Sequence, residues 1–156
     1  MDEPFDIKNL QMTRGFIVDR FILIENLICT IISQHYLGHP DADFVVNVLG
    51  NELSNFGFKR NILEHIIEEK EDNKKQIDNL HKLNRIRNLF CHSTPKVKED
   101  KEKENKQIFF TNPKSPKNQD KELNMEKELE KFKELHAVVS SWLINIAKAK
   151  GVTGFP

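Results

Sequence analysis

The sequence has no excess of either charge: 24 basic residues stand against 24 acidic ones. A protein that holds a long nucleic-acid backbone usually carries a clear basic surplus. A general nucleic-acid-binding surface is therefore disfavoured, while local contact with a few phosphates stays open. Long apolar runs are missing too. The longest, FILIENLICTII, is broken by Glu25 and Asn26, and a membrane span needs roughly 18 or more apolar residues. Cysteine is scarce. Cys29 and Cys91 lie in apolar surroundings and form no CxxC pair. That usage suits a reducing, cytoplasmic compartment; a disulfide between the two is allowed but not required. The opening MDEPFD is acidic and lacks a signal peptide's basic start. P-loop, GxGxxG and GxSxG motifs are absent, as are internal repeats. No cofactor is implied.

What is present is helical patterning. The chain of 156 residues suits one domain with a real core. Residues 16–37 are apolar on almost every side, and the spacing Ile17, Phe21, Ile24, Ile28, Ile31 favours a helix. A helix apolar all round is buried, either within its domain or against a second subunit. Gly38 and Pro40 end it. Asp41 or Asp43 then caps a second helix over about 42–55, with Phe44, Val45, Val48, Leu49 and Leu53 inward. A third runs over about 58–70 with Ile62, Leu63, Ile66 and Ile67, and a fourth over about 73–91. Residues 93–121 change character and read as an exposed excursion. Within it PKVKE and KQIFFTN can pair as a small hairpin, pinned to the core by Ile108, Phe109 and Phe110. A last helix over about 122–149 turns Leu123, Leu129, Phe132, Leu135, Val139, Trp142 and Ile146 to one face. The expected fold is all-α, with about five helices and one small hairpin.

The fourth helix ends in RNLFCH, residues 87–92. At about 100° per residue, Leu80, Leu83, Ile86, Leu89 and Phe90 form its apolar arc, and Arg87 falls inside it. A guanidinium keeps its charge, so burying it unpaired is costly and it needs an anion. Glu25, set inside the apolar first helix, has the matching problem and is the expected partner, with Asp19 second; the other outcome is a cleft that takes a phosphate. His92 lies about 140° round the helix from Arg87. The two converge if the helix ends or tightens at Cys91, or across a two-fold axis that joins two helix ends. The plain alternative is a histidine favouring the negative end of the helix dipole and an arginine in a buried ion pair.

LNRIRNLFCHS resembles the motif helix of the HEPN superfamily: Arg87, then Asn88, three intervening residues, and His92. Glu25 in a long apolar first helix, the lead-in Leu80 and Leu83, and a closing helix over 122–149 fit the same pattern. The resemblance spans the chain in architecture and about ten residues in motif. It implies an up-and-down helical bundle over residues 1–156 that forms a homodimer. It further implies a metal-independent endoribonuclease whose two motifs line one composite cleft, with a toxin or antiviral role and an antitoxin or regulatory protein as partner. Carried over, Arg87 and His92 would be catalytic, Asn88 would position them, and Glu25 would support them. The chemistry is coherent, because RNA supplies its own 2′-hydroxyl nucleophile. Histidine moves protons near neutral pH and arginine clamps phosphate oxygens. The products would be a 2′,3′-cyclic phosphate and a 5′-hydroxyl. Family members regulated through a tyrosine two residues after the histidine differ here, since that position is Thr94 and the only tyrosine is Tyr36. The alternatives are a catalytically silent domain of this type that binds a partner protein or nucleotide, and an unrelated helical interaction module.

Lys82 and Arg85, on the polar side of the motif helix, are placed to guide RNA, with Lys96, Lys98, Lys114 and Lys117 as weaker candidates. His35 and His39 have the spacing of a metal pair, but Gly38 interrupts them and no HExxH or cysteine support exists, so no metal site is expected. His65, His81 and His136 read as surface or boundary residues without a role.

Overall fold

The computed structural model describes residues 7–51, 54–100, 105–111 and 122–153. Helix α1 (Ile7–Leu37) begins well before Phe16, where the apolar pattern starts. Gly38 stops it in the left-handed region at φ 78°, which glycine adopts without steric cost. Its inner face carries the core: Ile17, Phe21, Ile24, Ile28 and Ile31 are sealed from solvent. On the opposite side Met12, Phe16, Ile22 and Leu23 stand exposed, with Lys133 Nζ 5.9 Å from the centroid of the Phe16 ring.

The second segment departs from expectation. Asp41 does cap it, its Oδ1 accepting from the Phe44 amide at 2.7 Å. But α2 (Ala42–Phe44) passes at once into a π-helical turn, Val45–Leu49. The wider turn shifts the side-chain register, so Leu49 is buried while Val48 faces solvent. Gly50 ends it, where a Cβ would stand 2.5 Å from the Val46 carbonyl oxygen. Leu53 lies outside the described residues.

Asn55 caps α3 (Phe56–Ile66) through its Oδ1, which accepts from the Phe58 amide at 3.0 Å. The helix stops earlier than the apolar pattern suggests because Ile67 turns extended. Helix α4 (Glu71–His92) opens on two acids that complement its dipole. Leu80, Leu83, Ile86, Leu89 and Phe90 are all buried, as the wheel requires. Ser93 is extended and ends it.

The excursion contains more order than a loop. Strands β1 (Thr94–Asp100) and β2 (Asn105–Thr111) pair antiparallel, with Val97 opposite Ile108 and Pro95 opposite Phe110. A short β3 (Leu123–Asn124) adds to β2. Residues 101–104 and 112–121, including Lys114 and Lys117, lie outside the described residues. Phe110 is the pin: it is fully buried edge-to-face on Phe90, with ring centroids 4.8 Å apart. Helix α5 (Met125–Ala149) then closes the core. It starts after β3, with Asn124 as cap. Its Trp142 indole donates to Asn73 Oδ1 on α4 at 2.9 Å. The architecture is mainly helical: α3, α4 and α5 pack on α1, and a small three-stranded antiparallel sheet leads from α4 into α5. Among the described residues no helix is long and apolar enough to cross a membrane.

Candidate functional site

The carboxy-terminal turn of α4 holds the motif. The helix stays regular through His92, so it does not end or tighten at Cys91. Arg87 and His92 therefore remain about 140° apart around one axis and do not meet within a chain. His92 is exposed. Asn88 and Arg87 are half-buried.

The expected Arg87–Glu25 pair is not formed. Glu25 Oε1 instead accepts from Lys59 Nζ of α3 at 2.5 Å, and Lys59 is among the most buried charged residues. The aliphatic stem of Lys59 lies on the inner face of α3 between Phe56 and Leu63, and its ammonium reaches α1 at Glu25. That consumes the acid. Asp19, the second candidate, is exposed and joins no ion pair among the described residues. Arg87 lies instead over the ring of Phe21, one turn before Glu25 on α1, with its central carbon 4.7 Å from the ring centroid. A cation–π contact of this kind orients a guanidinium without neutralising it.

The other proposed RNA contacts are exposed. Lys82 makes a long contact to Asn79 Oδ1 at 3.5 Å, and Arg85 makes none among the described residues. Lys96 is exposed; Lys98 pairs with Glu122 and lies over Phe109.

Two residues outside the motif shape this region. Arg14 of α1 donates from Nη2 to the carbonyl oxygen of Ser93 at 3.0 Å, and so ties down the residue that follows His92. Arg60 of α3 donates from Nη1 to His81 Nδ1 at 2.9 Å and from Nη2 to Asn61 Oδ1 at 3.0 Å. Neither stands out in the sequence. Arg14 lies before the apolar run that marked the first helix, and Arg60 follows a lysine in an ordinary-looking amphipathic helix. A wheel of α3 would have exposed the anomaly beside it, because Lys59 falls among the inward positions Phe56 and Leu63.

The remaining histidines and thiols do other work. His35 Nδ1 contacts Lys150 Nζ at 3.2 Å, and His39 Nδ1 contacts the Pro40 carbonyl oxygen at 3.2 Å. Among the described residues no cluster of three or more His, Cys, Asp or Glu could hold a metal. Cys29 and Cys91 are free thiols, and burial pushes the Cys29 thiol above its ordinary range. His136 donates to the Arg20 carbonyl oxygen at 3.1 Å, while its burial lowers the imidazole's proton affinity.

Compared with protein-family models, curated proteins and solved structures, the chain matches none.

Proposed function

We propose that this protein is a homodimeric, metal-independent endoribonuclease of the HEPN type, an up-and-down helical bundle acting through Arg87, Asn88 and His92. One observation carries the reading. Arg87 is half-buried in the apolar arc of α4, stacked on Phe21, and has no carboxylate partner among the described residues. The acid best placed to neutralise it is committed to Lys59. A half-buried guanidinium left uncompensated is suited to an anionic group from outside, and a phosphodiester fits its planar fork.

The chemistry then needs a proton-transfer group beside that phosphate. His92 is exposed at the helix end and can serve, and because the helix holds Arg87 and His92 of one chain apart, the His92 of one chain would face the Arg87 of the other. Two copies that share one cleft would meet through their α4 ends, since the exposed Met12, Phe16, Ile22 and Leu23 of α1 lie on the side away from Phe21 and Arg87. In the dimer, the arginines stabilise the charged phosphorane and the histidines move the protons of the 2′-hydroxyl and the leaving oxygen. A toxin or defence role, with an antitoxin or regulator that blocks the cleft, and a cytoplasmic setting are consistent with such an activity.

The test pairs wild type with His92→Ala on a mixed RNA pool in EDTA, with the cut ends mapped and each protein's mass measured in solution. Cleavage by wild type alone, with 2′,3′-cyclic phosphate ends and a dimer mass for both, is the expected result. Full cleavage by a folded His92→Ala protein would overturn the proposal.

A further inference from the structure

The five arginines of this chain behave unlike its lysines. Among the described residues, every ion pair uses a lysine: Lys59 with Glu25, Lys70 with Glu68, and Lys98 with Glu122. No arginine pairs with an acid there. Arg60 shows the contrast best. It follows Lys59 in sequence, is half-buried, and is held only by neutral acceptors, His81 Nδ1 and Asn61 Oδ1. Its Nε is sealed from solvent without a partner. Glu64, one helical turn further on, is exposed and takes no part.

The position of that cation matters. Arginine only donates, so the bond to His81 Nδ1 leaves the imidazole proton on Nε2. On α4, His81, Arg85, Asn88 and His92 fall within about 60° of one another around the helix axis. They form one polar face, about 16 Å long from His81 to His92. Asn84, one turn after His81, leaves its Oδ1 unpartnered. One end of this face is the proposed cleavage site. The other end is a fixed guanidinium with no counter-charge, and Arg85 lies between.

We infer that Arg60, with His81 and Arg85, forms a second phosphate-binding subsite, which holds the backbone of a single-stranded RNA several nucleotides from the bond cut at His92. The inference rests on reading the α4 end as an RNA-cleaving site. His81 fixes the guanidinium plane, and Arg60 supplies the charge. The face then sets a minimum substrate length, because short fragments reach His92 without reaching Arg60.

The experiment uses the full chain carrying His92→Ala, so that RNA binds without being cut, and a fluorescein-labelled 12-nucleotide oligouridylate as probe. Arg60→Gln keeps a donor for His81 and removes the charge. Anisotropy titrations at several salt concentrations give the affinity and its salt slope, and a thermal melt confirms folding. The expected result is a roughly five- to tenfold weaker affinity and a salt slope smaller by about one phosphate contact. A tie between α3 and α4 that served structure alone would move the melt and leave the slope. Unchanged affinity and slope in a folded Arg60→Gln protein overturn the subsite, even where wild type cuts RNA. Arg60-dependent binding by a protein whose wild type cuts nothing upholds the subsite and rejects the nuclease. Binding by neither form rejects the subsite, and wild-type cleavage of RNA decides the nuclease separately.

Discussion

Two cations reach α1 from neighbouring helices, one turn apart, and meet opposite fates. Lys59 arrives from α3 and finds Glu25. Arg87 arrives from α4 and finds the ring of Phe21. The first site is closed in charge and ties α3 to α1. The second is oriented but left uncompensated. The partner each cation faces therefore separates a charge closed by its own acid from one left open, even within one contact region.

The sharpest way to break this comparison is to exchange chemistry at the open site. Arg87→Ala should lower RNA cleavage by at least about a hundredfold, the scale of losing one transition-state donor. Its melting temperature should stay close to wild type, since no ion pair is lost. Steady-state cleavage and a thermal melt measured together check both halves, and a large stability loss with cleavage intact would reverse the assignment. At the closed site the balance should invert. Glu25→Gln leaves the ammonium of Lys59 buried without its acid and should destabilise by about 2–3 kcal/mol. That figure sits below the range for fully buried pairs because Glu25 retains 27% side-chain exposure. Denaturant unfolding reads it, and cleavage well below the transition should survive. The smallest effect concerns neither cation. His136 has its proton affinity lowered by burial. A histidine lowered in the folded state binds more protons when unfolded, so its contribution is present above the ordinary value near 6.5 and is lost as pH falls below it. His136→Gln should flatten the pH dependence of stability in that range, measured by melts from pH 7 to 5.

Much of this was legible in the residues. The buried arc of α4, the inward spacing on α1, the glycine after α1 and the hairpin anchored by Phe110 follow from periodicity, capping and turn chemistry, which are local; on α5 the spacing finds Phe132 and Val139 but not the buried Met125, Leu143 and Ala147, and Leu123 belongs to β3. The second segment was not legible, because a π-helical turn changes the register without leaving a mark in composition. The pairing of Glu25 was also missed. A wheel identifies a buried charge in need of a partner, but it does not say which neighbouring helix supplies one. Lys59 and Arg87 were both available, and the packing of α3 against α1 decided between them.

The sequence by itself determined which residues turn inward and where Arg87, Asn88 and His92 fall on their helix, since helical geometry ties spacing to direction. Only the tertiary structure decided which charges are satisfied. Contacts such as Lys59 with Glu25, Arg60 with His81 and Arg14 with Ser93 join residues distant in the chain. Their electrostatic outcome depends on how whole helices pack, and no local pattern records that.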